Sequence, residues 1–254
     1  MESGALVLTL GATLCWGSAQ VIGKLVLRNM NTLLFNGIRF SVAALIVVSG
    51  VSLTGGFGEL GGNWLIAIAF VSGVMGWFLA AHLFFYSLKR EAAHRIIPTG
   101  NSYPFWAIAL APLFLGEELK LILPLSAALI FVGSFLLVAH RREPSYWRMG
   151  VPVACFAAFL WGLNAVLNKY CLNSGMAISA LLSIRLLTAA VLFNMAIGIS
   201  GRGKVPRIGR GSAGLSALSG IISFPVGTLM YLTALSMEQA STLAPITGMT
   251  IFFG

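Results

Sequence analysis

The sequence predicts an all-α membrane protein built from two inverted five-helix repeats, with ten transmembrane helices expected and about nine present. Three observations predict it. Of 254 residues, 58% are hydrophobic and only 9% charged, where a soluble domain carries about a quarter charged residues. Apolar stretches long enough to cross a bilayer, which takes about 20 residues, follow one another along the chain. The chain also repeats itself, because Trp16-Gly17 with Lys24 recurs as Trp161-Gly162 with Lys169 at a spacing of 145 residues.

The apolar stretches run over 5–24, 32–53, 63–87, 96–115, 120–139, 150–169, 177–199 and 213–236, and a ninth starts near Ala240. The first resembles a leader peptide in length, but Met1-Glu2-Ser3 supplies no basic n-region and the stretch belongs to the repeat, so it reads as a mature helix. The echo continues through the later stretches. Arg39 with Ala43-Ala44 matches Arg185 with Ala189-Ala190 at a spacing of 146. Leu88, Glu91, Ala93 and Pro98 match Leu235, Glu238, Ala240 and Pro245 at 147.

These spacings divide the chain into a first repeat over 1–140, a linker over 141–149 and an incomplete second repeat over 150–254 that holds helices six to nine. Five helices per copy is an odd number, so the second copy crosses the membrane in the opposite sense. A pseudo-two-fold axis in the membrane plane then places a site near the midplane, as in alternating-access proteins. The competing reading is a lipid-associated accessory or scaffold protein in which the repeat records duplication alone.

The net charge of +9 raises the question of a nucleic-acid partner, and its distribution answers against one. Twelve basic residues fall in the connections of one side, namely Lys24, Arg28, Lys89, Arg90, Arg95, Arg141, Arg142, Arg148, Arg202, Lys204, Arg207 and Arg210. The other side has Lys120 and Lys169. By the positive-inside rule the basic side is cytoplasmic and the N-terminus lies outside. Residues 200–212, rich in Gly and Arg, read as a cytoplasmic loop, and Thr54–Gly62 as an external turn.

Trp16-Gly17-Ser18, Arg39-Phe40, Tyr86-Ser87-Leu88, Pro104 and Leu115-Gly116-Glu117, echoed by Trp161-Gly162, Arg185 and Leu235 to Pro245, together resemble the EamA domain of the drug/metabolite transporter superfamily. The resemblance covers essentially the whole chain. It implies ten helices in two repeats and transport of small organic metabolites or drugs (amino acids, nucleoside-like or sugar-like compounds) across a prokaryotic inner or plasma membrane. It also implies cytoplasmic termini, against the charge bias. A second Leu-Gly-Glu is expected near position 264, past Gly254.

The seven acidic residues are all Glu, each at a helix end or in a connection. No carboxylate is therefore placed mid-membrane to trade a proton for a cationic substrate. His82 is the ionisable residue deepest in an apolar run, a candidate proton relay or a side chain reaching the interface. Arg39 and Arg185 read more readily as interfacial anchors that snorkel to lipid phosphate than as ligands for a substrate anion. Pro98 and Pro245 read as helix initiators. Pro104 reads as a mid-helix proline whose missing N–H frees the carbonyl of Gly100 beside Asn101 and Tyr103.

The candidate substrate-binding set is Trp16, Gln20, Trp77, His82, Asn101, Tyr103, Pro104, Trp161, Asn164, Tyr231 and Thr247. Aromatic walls with a few amides suit an amphipathic solute. Trp64, Tyr146 and Trp147 read instead as an interfacial belt. Partners are a small-molecule substrate and membrane lipids. The stripe Ser212, Ser216, Gly220 beside Ser219, Ser223, Gly227 suits close helix packing, which leaves a homodimer open.

No catalytic residue, cofactor or metal site is expected. Gly198-Ile199-Ser200-Gly201 matches an intramembrane serine-protease motif, but no histidine follows Ser200 to serve as its base. The chain has no Asp, and His82, His94 and His140 lack ligand spacing. Three cysteines, Cys15, Cys155 and Cys171, form no disulfide framework.

Overall fold

The computed structural model describes residues 3–118, 120–138, 149–200 and 209–253, with the side chains of 130, 131 and 134–138 left aside. Linker residues 141–148, loop residues 201–208, and with them Tyr146, Trp147 and six of the twelve basic residues, lie outside this set.

The described residues form helices and contain no strand. In chain order they are α1 (Ser3–Val26), α2 (Thr32–Leu53), α3 (Asn63–Arg90), α4 (Ala93–Gly100 and Tyr103–Leu115), α5 (Ile122–Val138), α6 (Gly150–Asn173), α7 (Ile178–Ser200), α8 (Arg210–Met237) and α9 (Ala240–Thr247 and Thr250–Phe253). Six of them, α1, α2, α3, α6, α7 and α8, are long and apolar enough to cross a membrane. The large apolar side chains left exposed, such as Val7, Leu45, Leu113 and Leu129, are what a lipid-facing surface requires.

The second copy runs opposite to the first. Lys24, near the end of α1, donates to the carbonyls of Leu88 (2.6 Å) and Glu91 (2.8 Å) at the end of α3. Lys169, near the end of α6, donates to the carbonyl of Leu235 (2.8 Å) at the end of α8. Gly4, at the start of α1, lies against Met237, so α1 begins at the level where α6 finishes. Lys24→Met leaves two carbonyls unmet at the first of these ties. We expect a loss of about 2 kcal/mol, read as a lower melting temperature in detergent; an unchanged value would refute the tie.

Among the described residues each copy carries one π-helical segment, Gly73–Leu79 within α3 and Ile222–Thr228 within α8. In α8, Pro225 lacks the N–H that an unbroken ladder needs. Such turns gather at functional sites because they redirect side chains and expose carbonyls. The Trp-Gly phrases engage them crosswise. Trp16 of α1 donates its indole N–H to the carbonyl of Ser223 (3.1 Å), and Trp161 of α6 donates to that of Gly76 (2.8 Å). The adjoining glycines allow the approach of a second helix. A Cβ on Gly17 would sit 2.8 Å from the carbonyl carbon of Phe253, and one on Gly162 would sit 2.9 Å from the backbone nitrogen of Ala107.

Helix α4 departs from the expected proline geometry. Its first half starts at Ala93, so Pro98 lies inside it, and α9 likewise starts at Ala240 ahead of Pro245. The chain then breaks at Asn101-Ser102, and Pro104 sits in the opening turn of the second half. Pro104 is a helix starter, where its fixed φ and missing N–H cost nothing. The small residues of α8 are consumed inside the bundle. Ser216, Ser219 and Ser223 are buried, and Ser219 donates to the Ala19 carbonyl.

Candidate functional site

Between the two copies lies a cavity of about 140 Å³. Its walls come from α1, α2, α3, α4, α6, α7 and α8, with both copies represented. Eight of the eleven expected residues line it: Trp16, Gln20, Trp77, Asn101, Tyr103, Trp161, Asn164 and Tyr231.

The aromatic wall consists of three groups of rings. Trp16 meets Tyr231 edge-on at 5.2 Å between ring centroids, and Trp161 meets Phe84 at 5.1 Å. These pairs occupy equivalent positions in the two copies. Across the cavity Phe40 packs on Phe224 at 4.5 Å, and Trp77 lies 5.0 Å from Phe224.

The amides form two separate groups. Gln20 and Asn101 exchange hydrogen bonds at 3.0 and 3.2 Å, which pins the break of α4 to α1. Ser72 bridges Asn164 (2.5 Å) and Asn168 (3.0 Å), tying α3 to α6. Gly76 makes the second contact possible, since its missing Cβ leaves room for the Asn164 side chain.

Three expected residues lie elsewhere. His82 is half-buried outside the cavity, its Nδ1 unpartnered, with Tyr86 and Phe193 as its ring neighbours. Thr247 is buried and donates to the Ala244 carbonyl of its own helix (2.7 Å). Pro104 borders a small cleft with Pro245 and Ile251.

The structure adds two residues, Arg39 and Arg185, that the sequence reading placed at the membrane faces. They are 4% and 1% exposed, and both line the cavity. Arg39 donates to Ser223 Oγ (2.9 Å) and Asn36 Oδ1 (3.2 Å), leaving Nε without a partner. Four phenylalanine rings surround it: Phe35, Phe40, Phe85 and Phe224. Arg185 stands with its guanidinium carbon 3.8 Å from the Trp77 ring centroid, and its Nε and Nη1 are buried without partners.

Close helix packing explains why neither side chain snorkels. A Cβ on Gly220 would meet the Arg39 carbonyl at 2.5 Å, and one on Gly73 would meet the Arg185 Cα at 3.1 Å. Each arginine is thus pressed at its backbone against the opposite copy and points inward. The energetics are lopsided. A cation–π contact returns about 0.5–2 kcal/mol, while burying an ion costs several kcal/mol. No Glu lines the cavity among the described residues. The spacing signal for both arginines was present in the repeat; their depth was not.

At the other end of the bundle, Glu117 caps the first half of α9. Its carboxylate accepts from the backbone N–H of Ala240 (2.9 Å) and Ser241 (2.9 Å) and from Ser241 Oγ (2.5 Å). The Leu-Gly-Glu motif is therefore a lock between the copies.

Residues 3–139 match the EamA-like transporter family. An uncharacterized transporter of Archaeoglobus fulgidus is 27% identical over 124 residues, which make up 49% of this chain and 44% of that protein. The match thus spans less than half of that relative's length. A solved crystal structure aligns with 100% of this chain and 86% of its own, at a TM-score of 0.78 and 16% identity. That likeness is one of fold.

Proposed function

Since this chain belongs to the EamA-like transporter family, we propose that its central cavity binds a small organic metabolite and carries it across the membrane by alternating access. One observation carries the reading: the cavity sits between two inverted copies and is walled by residues of both. Rocking one copy against the other exposes such a site to each side in turn. The eight lining residues above provide the aromatic walls and amide groups. With six described basic residues at the end marked by Lys24 and Lys89, that end is cytoplasmic in this reading.

The test is flux in proteoliposomes over a broad metabolite panel, with Ala165→Phe as the blocking variant. Ala165 lines the cavity and is 5% exposed. A phenyl ring there fills space that a solute needs, so flux is expected to fall at least tenfold, by roughly 1.4 kcal/mol or more in the barrier. Absence of substrate-dependent flux in the parent protein would overturn the transporter reading and favour an accessory or scaffold role.

A further inference from the structure

The cavity presents two guanidinium groups and, among its described lining, no carboxylate. Guanidinium stays protonated in proteins, so discharge does not relieve the imbalance. Arg39 is partly satisfied by Ser223 and Asn36, whereas Arg185 has two buried donors with nothing to meet them. A group that brings negative charge and paired acceptor oxygens answers both deficits at once.

Building on the transporter reading, we propose that the cavity takes a small organic anion, a carboxylate on a compact ring-sized body, with Arg185 as its principal anchor and Arg39 as its second. Three observations fix the class. A volume of about 140 Å³ compares with the ~150 Å³ engineered cavity that accepts benzene in another protein, so it has room for a single ring. The aromatic wall of Trp77, Phe224 and Trp16 suits an apolar body. A zwitterion or amine would set its ammonium beside two fixed cations with no anionic partner, which disfavours free amino acids against simple carboxylates. The burial of both arginines inside the bundle also sets this site apart from a lipid headgroup at the protein's lipid-facing surface.

The test uses the full chain in detergent or nanodiscs, with binding of benzoate, benzyl alcohol, benzylamine, phenylalanine and inorganic phosphate measured by calorimetry. Benzoate is expected to bind at least about thirtyfold tighter than the alcohol or the amine, and tighter than phenylalanine. Equal binding of benzylamine or phenylalanine would overturn the anion assignment, and tighter phosphate binding would overturn the carboxylate. Arg185→Gln is expected to weaken benzoate about thirtyfold or more, and Arg185→Lys by less, because it keeps the charge and loses the fork. Unchanged affinity in Arg185→Gln would remove that residue as the anchor. The ligand ranking on the parent protein needs no variant, so misfolding cannot mask the outcome. Failure here is separable from failure of the transporter reading: flux of neutral or cationic solutes without benzoate binding sinks the anion alone. Benzoate binding without flux of any solute sinks transport alone.

Discussion

Gly220→Val is expected to collapse the protein, with a loss of about 3 kcal/mol or more. The added Cβ would lie 2.5 Å from the Arg39 carbonyl oxygen and 2.8 Å from its Cα. Both are backbone atoms, so no side-chain rotation relieves the clash, and α8 must part from α2. The same movement displaces Arg39 from Ser223, whose hydroxyl accepts from Nη2 at 2.9 Å. Gly214→Val provides the control, because nothing lies within 4 Å of its Cβ position on the same helix. Thermal unfolding in detergent should show a large drop for the first variant and little change for the second. Equal melting temperatures would mean that α2 and α8 do not touch as described.

Glu117→Ala should rank second. It strips acceptors from three buried donors at the N-terminus of α9, and at about 1 kcal/mol for each unmet donor the low-end loss is ~3 kcal/mol. The helix end also loses a favourable negative charge. Glu117→Gln is the informative companion. Its amide offers one acceptor oxygen and turns an NH₂ toward the remaining donors, so at most half the loss is recovered. Hydrogen exchange at Ala240–Leu243 reads the effect locally. Unchanged exchange there would show that the cap contributes nothing.

Much of the architecture was legible in the sequence. Apolar length and the Trp-Gly, Arg and Leu-Glu echoes defined the helices to within a few residues and set the opposed sense of the copies. Eight cavity residues followed from aromatic and amide side chains placed on the inner helices. What escaped has a common cause. The burial of Arg39 and Arg185 depends on Gly220 and Gly73 in the opposite copy, and the cap on α9 depends on Glu117, 123 residues from Ala240. Pro104 was misread because a proline near a helix start and one in mid-helix look alike until the break at Asn101-Ser102 is known. His82 is set by its helix face: its ring is turned to Tyr86 and Phe193, away from the cavity.

The crossed tryptophan ties carry a consequence for biosynthesis. Trp16 finds its acceptor 207 residues later, at Ser223, and Gly17 packs against Thr250 and Phe253. Helix α1 therefore leaves the ribosome well before α8 and α9 and completes this packing only after they follow. During that interval its indole N–H waits without its final partner in the bilayer or in the insertion machinery. Contacts of such long sequence separation slow assembly, so the packing of α1 waits until α8 and α9 have been inserted beside a helix made long before them.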